Sequence, residues 1–98
     1  LPLEKQGEKL TMSKGCVGCH STDGTAKVGP SFKGLFGRKT TWDDGTTGVN
    51  DENYIRESIL TPNAKVVKGF AKGVMPTFQG QITEDEIKSI IEYMKVLK

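Results

Sequence analysis

Both cysteines and the single histidine of this chain fall within five consecutive residues, Cys16-Val17-Gly18-Cys19-His20. Two thiols three positions apart lie on one side of a helical turn, where each can form a thioether to one of two neighbouring vinyl groups on a macrocycle edge. The histidine that follows is then placed under an iron atom, for which a neutral imidazole nitrogen is an ordinary axial ligand. Cys-x-x-Cys-His is the attachment signature of a c-type haem. Other uses of these residues fit less well. A structural zinc site takes four Cys/His ligands, commonly from two pairs, and this chain has no second pair. A thioredoxin-like dithiol belongs beside a strand-helix-strand pattern, whereas the residues before Cys16 carry a helical one, and it leaves His20 without a role. A disulfide closing so small a loop would contribute little stability.

With His20 (metal-ligating) on one side of the iron, the other side needs a donor from what remains. There is no second histidine and no spare cysteine, so methionine is the available ligand type. Met12 lies four residues before Cys16, on the same side of the attachment as His20, and reads as core packing. Met94 falls on the apolar stripe of a regular helix. Met75 sits in a glycine-rich irregular segment, with Pro76 biasing it to extended backbone and Val74 and Phe78 beside it; it is the expected ligand. A thioether favours ferrous over ferric iron, so His20/Met75 ligation raises the reduction potential. With both axial positions filled by the protein, the expected work is electron transfer rather than catalysis. A sensor or enzyme in which Met75 dissociates is the alternative of a different class. The second nitrogen of His20 needs an acceptor, and the Pro30 carbonyl, from a turn shortly after the ligand, is the candidate.

The elements that must position these groups follow from periodicity and punctuation. Leu3, Gly7 and Leu10 make one stripe of a helix from Leu3 to about Ser13, with Gly7 implying a close backbone crossing with another helix. Residues 21–50 show no helical period, a length at which an unstructured connection becomes suspect unless it wraps a rigid disc. Within them Phe32, Leu35 and Phe36 are apolar contacts, and Thr40-Thr41-Trp42 and Thr46-Thr47 flank Asp43-Asp44-Gly45 as a short hairpin, expected to be an appendage. Asn50 or Asp51 caps a helix to about Leu60, ended by Thr61-Pro62. Residues 63–80 are again irregular. Thr83-x-x-Glu86 is a capping box with Ile82 and Ile87 as its hydrophobic staple, opening a helix whose apolar face is Ile87, Ile90, Ile91, Met94 and Leu97, bordered by Tyr93.

The 98 residues make one domain, 1–98, at the small end of what a side-chain core sustains, and only 35% are hydrophobic. A buried macrocycle fills that deficit. The formal net charge of +2 is too small to argue for nucleic acid, and two haem propionates bring the holoprotein near neutrality. No apolar run approaches a membrane helix and no secretory h-region precedes the domain. A start at Leu1-Pro2 without methionine suggests a processed protein or an excised fragment.

Together, Lys27-Val28-Gly29-Pro30, the run Gly34-Leu35-Phe36-Gly37-Arg38-Lys39, the helix closing at Thr61-Pro62, Met75 in a glycine-bearing loop and an aromatic in the final helix resemble a class I cytochrome c in order along nearly the whole chain. The resemblance implies a mostly α fold, short helices wrapped round one covalent haem c, with a small β-hairpin near 40–47. It implies that the first and last helices cross near Gly7 and Tyr93, that Pro30 accepts from His20, and that Arg38 lies near a propionate. Leu35, Phe36 and Phe78 are expected against the haem. The propionate-binding Trp and Tyr of mitochondrial cytochrome c do not align; Trp42 and Tyr54 are the candidate substitutes, against ordinary packing of each. Asn53-Tyr54-Ile55-Arg56-Glu57-Ser58-Ile59, Pro62-Asn63-Ala64-Lys65 and Val74-Met75-Pro76 with Phe78 resemble the cytochrome c domain fused to subunit II of some bacterial haem-copper oxygen reductases. That likeness implies a fragment of a membrane-anchored subunit, outside the cytoplasmic membrane, passing single electrons from a redox donor protein or complex to the dinuclear copper domain of a cytochrome c oxidase in the respiratory chain. A free soluble carrier is the alternative. The chain meets a membrane only through the rest of its parent, and Lys27, Lys65, Lys68 and Lys72 either ring the exposed haem edge to steer a partner or form a solvated surface.

Overall fold

The structure is a computed structural model, described over residues 2–98. Helix α1 spans Leu3–Ser13, a 3₁₀ turn Cys16–Gly18 follows, then strands β1 (Lys39–Thr41) and β2 (Thr47–Val49), helix α2 (Glu52–Leu60) and helix α3 (Glu84–Val96). The architecture is mostly helical, with one small antiparallel sheet among the described residues.

Helices α1 and α3 form the frame. Gly7 is buried, and a Cβ built on it would lie 2.0 Å from the Ser89 carbonyl oxygen and 2.9 Å from Ile90 Cα. The crossing expected at Gly7 is therefore a backbone-on-backbone contact that any side chain would prop open. Tyr93 is one turn further along α3, 7% exposed, so it belongs to the buried face rather than to its border. Small polar residues share this seam: Thr11 and Ser89 are buried, and each returns its hydroxyl to a carbonyl three residues back, Glu8 and Glu86. Met12 differs from its expected place in the core. It is 57% exposed, because the α1 face that meets α3 runs through Gly7 and Thr11 and leaves position 12 to solvent.

α3 starts as its sequence dictates: Glu86 N–H donates to Thr83 Oγ1 at 3.1 Å and Thr83 N–H to Glu86 Oε1 at 2.9 Å. For α2 the cap is Asp51, whose Oδ1 accepts from Tyr54 N–H at 2.8 Å. Asn50, the other candidate, is buried inward instead, donating from Nδ2 to the Leu35 carbonyl at 3.1 Å.

The hairpin pairs Lys39 with Val49, Thr40 with Gly48 and Thr41 with Thr47, and Asp44 Oδ1 accepts from Thr46 N–H at its tip. It is not an appendage. Trp42 at its end is 5% exposed and packs in the core, where Gly48 makes room: a Cβ on Gly48 would lie 2.4 Å from the indole. The outer edge of β1 also binds the segment after α2, with Asp43 N–H to Val66 O at 2.7 Å and Lys68 N–H to Thr41 O at 3.0 Å.

Residues 19–32 are irregular but internally bonded. Gly29 N–H donates to Cys19 O and Phe32 N–H to Ser21 O, both at 2.8 Å, and Ser31 Oγ bridges Gly24 N–H, Lys33 N–H and the Ser21 carbonyl. Part of the order expected from wrapping a disc thus comes from the loop's own hydrogen bonds.

Candidate functional site

One cleft of about 210 Å³ is lined by the attachment turn, by helices α2 and α3 and by both irregular segments, and it holds Cys16, Cys19, His20, Pro30, Leu35, Tyr54, Met75 and Phe78. Eight of the eleven residues singled out by sequence therefore meet in one place. Gly15, at φ 79°, turns the chain out of α1 in the left-handed conformation that favours glycine. The 3₁₀ turn follows. Because 3₁₀ geometry places residues i and i+3 one above the other, Cys16 and Cys19 share a side. His20 N–H closes back on the Cys16 carbonyl at 2.9 Å. Both cysteines are half-buried, and neither is in a disulfide.

The imidazole of His20 is held on three sides. Its Nδ1 lies 2.7 Å from the Pro30 carbonyl oxygen, the acceptor expected from the turn. A carbonyl can only accept, so Nδ1 carries the proton and Nε2 keeps the lone pair needed of a ligand. Phe32 stacks on the ring at 4.6 Å between centroids and 14° between planes. Gly29 lies against its edge, where a Cβ would come within 2.4 Å of Cε1. Burial lowers the His20 pKa, which the Pro30 contact opposes, and so favours the neutral imidazole. Met75 is half-buried, and Ser58 Oγ on α2 lies 3.9 Å from its sulfur as a donor. Met94 also borders the cleft, but from the buried face of α3.

Three expected residues lie elsewhere. Arg38 donates from Nη2 to the Lys33 carbonyl at 2.6 Å and borders a neighbouring cavity with Pro30 and Phe70. Phe36 packs on the outside of the core beneath Lys95 Nζ, 5.4 Å from its ring centroid. Trp42 sits behind Tyr54, centroids 5.4 Å apart, and its buried Nε1 has no hydrogen-bond partner among the described residues. Burial pushes the Tyr54 phenol above its usual range. Of the lysines, Lys65 lines the cleft with Lys14, which sequence reasoning passed over; Lys27, Lys68 and Lys72 do not. Also passed over were Gly29, Phe32 and Ser58 as site residues. Ser58 was legible, since it follows Tyr54 by four on the inner face of α2.

These residues fit a haem c. The cleft is largely apolar, the two thiols share a side, and a tautomer-locked histidine and a thioether line the same space. No group of three or more His, Cys, Asp or Glu able to hold a metal ion by side chains alone occurs among the described residues.

The comparisons agree with this chemistry. The family described as Cytochrome c matches residues 4–98. Cytochrome c2 iso-2 of Magnetospirillum molischianum is 35% identical over 92 residues, covering 85% of this chain and 91% of that protein. Cytochrome c2 of Blastochloris viridis is 33% identical, covering 84% of this chain and 69% of that protein. Cytochrome c-551 of Stutzerimonas stutzeri is 30% identical over 99 residues, covering 98% of this chain and 81% of its own length.

Proposed function

This chain belongs to the cytochrome c family, an electron-transfer protein with one haem c bound through Cys16 and Cys19, and on that premise we propose that His20 and Met75 are its axial ligands and that it delivers single electrons to the copper centre of a terminal oxidase. The haem supplies the one-electron ferric/ferrous couple. The protein supplies the rest. His20 offers Nε2 because its other nitrogen is committed to Pro30, which fixes the ring's orientation and raises its basicity. Met75 offers a soft sulfur that favours the ferrous state. Leu35, Phe78 and the α2 and α3 side chains of the cleft exclude water, which limits reorganisation when the charge changes. Tyr54 lines the cleft with Trp42 behind it, and the buried Trp42 Nε1 without a hydrogen-bond partner among the described residues supports reading this pair as the propionate partners; Arg38 is engaged with the Lys33 carbonyl.

The observation that carries the ligand reading is the presence of Met75 and the tautomer-locked His20 in one apolar cleft. Met75→Ala is expected to abolish the far-red sulfur-iron absorption band, lower the reduction potential and admit imidazole to the ferric iron. An unchanged spectrum overturns it.

The oxidase role rests on the likeness of residues 53–59, 62–65 and 74–76 with Phe78 to the subunit II domain, and the same likeness supports a position on the outer side of the cytoplasmic membrane, anchored through a parent chain. No helix among the described residues is long and apolar enough to cross a membrane. One observation favours the free-carrier reading: the Magnetospirillum relative is matched over 91% of its length, which leaves it no room for a copper domain. The open reading frame separates the two, since a preceding copper domain with transmembrane helices supports the subunit and a signal peptide alone overturns it.

A further inference from the structure

Met75 lies in a segment with no helix or strand of its own between α2 and α3, so no regular backbone ladder dictates where its sulfur sits. The segment is tied down all the same, and the ties bracket the methionine. Asn63 Oδ1 accepts from Gly73 N–H at 2.9 Å, two residues before Met75. Thr77 Oγ1 donates to the Leu60 carbonyl at 2.6 Å, two residues after it. The same hydroxyl accepts from Gln79 N–H at 3.2 Å, and Phe78 N–H donates to the Ile59 carbonyl at 3.1 Å. Both flanks of Met75 are thus fastened to residues 59–63, where α2 ends. Gly73 holds φ 84°, a left-handed turn that aims its N–H at Asn63 and that other residues resist.

We propose that Asn63 and Thr77 are positioning residues for the sixth ligand: they hold the crossing segment to the end of α2 so that Met75 stays on the iron. This rests on the reading that Met75 is that ligand. A segment without regular structure gains much conformational entropy on release, so the sulfur-off state is suppressed by the ties at its flanks. An external ligand binds only the sulfur-off state, and its apparent affinity therefore reports the population of that state.

The test uses ferric holoprotein titrated with imidazole, together with hydrogen exchange of the Gly73 amide in the reduced protein. Asn63→Ala is expected to raise the apparent imidazole affinity roughly two- to tenfold, the weight of one neutral hydrogen bond, and to speed Gly73 exchange. Asn63→Asp keeps an oxygen acceptor and is expected to restore parental values on both readouts, which general destabilisation does not predict. Thr77→Val is expected to raise imidazole affinity from the other flank, and it decides the matter if Asn63→Ala does not accumulate folded. Parental imidazole affinity in these variants, beside a large rise in Met75→Ala, overturns the positioning role alone. Parental affinity and an intact far-red band in Met75→Ala overturn the ligand reading and the positioning role with it.

Discussion

At the scale of single residues, the site is built from groups that each leave their neighbour one course. Pro30 has a carbonyl to offer and no N–H, and so it fixes the tautomer of His20. Gly29 is small enough for the imidazole to lie against its backbone, which is why Pro30 can come so near. Ser58 is the corresponding detail beside Met75. A hydroxyl donating toward a thioether withdraws electron density from it, makes it a poorer donor to ferric iron, and so favours the ferrous state. Ser58→Ala is expected to lower the reduction potential slightly, by spectroelectrochemical titration, while the far-red band is kept; a rise in potential would show that Ser58 has no such influence on the sulfur.

At the scale of elements, two helices make the frame and the end of α2 holds the segment that carries Met75. The α1/α3 contact has no space for a methyl group at Gly7, so Gly7→Ala is expected to destabilise the holoprotein by about 1–3 kcal/mol, the usual cost of overpacking. Denaturant unfolding followed by far-UV circular dichroism measures it. The start of α3 also makes stability depend on pH. The Thr83 N–H holds the Glu86 carboxyl below the usual carboxylate range. A depressed folded pKa means that the unfolded chain takes up the proton first, so the contribution is complete above the unfolded value and is lost as pH falls through the folded one. Glu86→Gln is expected to flatten the stability profile on that acid limb and leave its neutral-to-alkaline shape unchanged, as urea titrations at a series of pH values would show. Ion pairs fasten α2 to α3 at the surface, Arg56 with Glu84 and Lys95 with Glu52, but exposed pairs of this kind contribute little.

At the scale of the whole molecule, the cleft is where α2, α3 and the irregular segments meet the attachment turn. Its lining takes residues from the attachment turn, the 28–35 loop, α2, the crossing segment and α3. In a chain of 98 residues with a 35% hydrophobic composition, a shared cofactor surface of this extent is a large part of what the core has to pack against. Protein produced without haem attachment is expected to lose the cooperative thermal transition that the holoprotein shows, by near-UV circular dichroism and calorimetry. A sharp transition of holoprotein size in the apoprotein would mean that the helices and hairpin suffice. The binding of the β1 edge to residues 66–68 extends the same logic, since it joins the hairpin to the segment that carries Met75.

The chain's local chemistry already determined most of the site. Cys16, Cys19 and His20 declare themselves by spacing, Met75 by elimination and by its irregular surroundings, and the caps of α2 and α3 by residue type at fixed offsets, because each of these depends on neighbours within a turn or two. Gly7 announced a close crossing for the same reason: a glycine in a helix stripe needs compensation. What only the tertiary structure decided are the matters in which distant segments compete for one surface. Met12 is turned to solvent because α3 is met by Gly7 and Thr11. Arg38 bonds the Lys33 carbonyl, and Trp42 is drawn into the core by the space at Gly48, so neither side chain lines the cleft itself. Asn63 reaches Gly73 across ten residues of irregular chain, a contact with no periodicity to advertise it, fixed only once the end of α2 and the crossing segment are packed side by side.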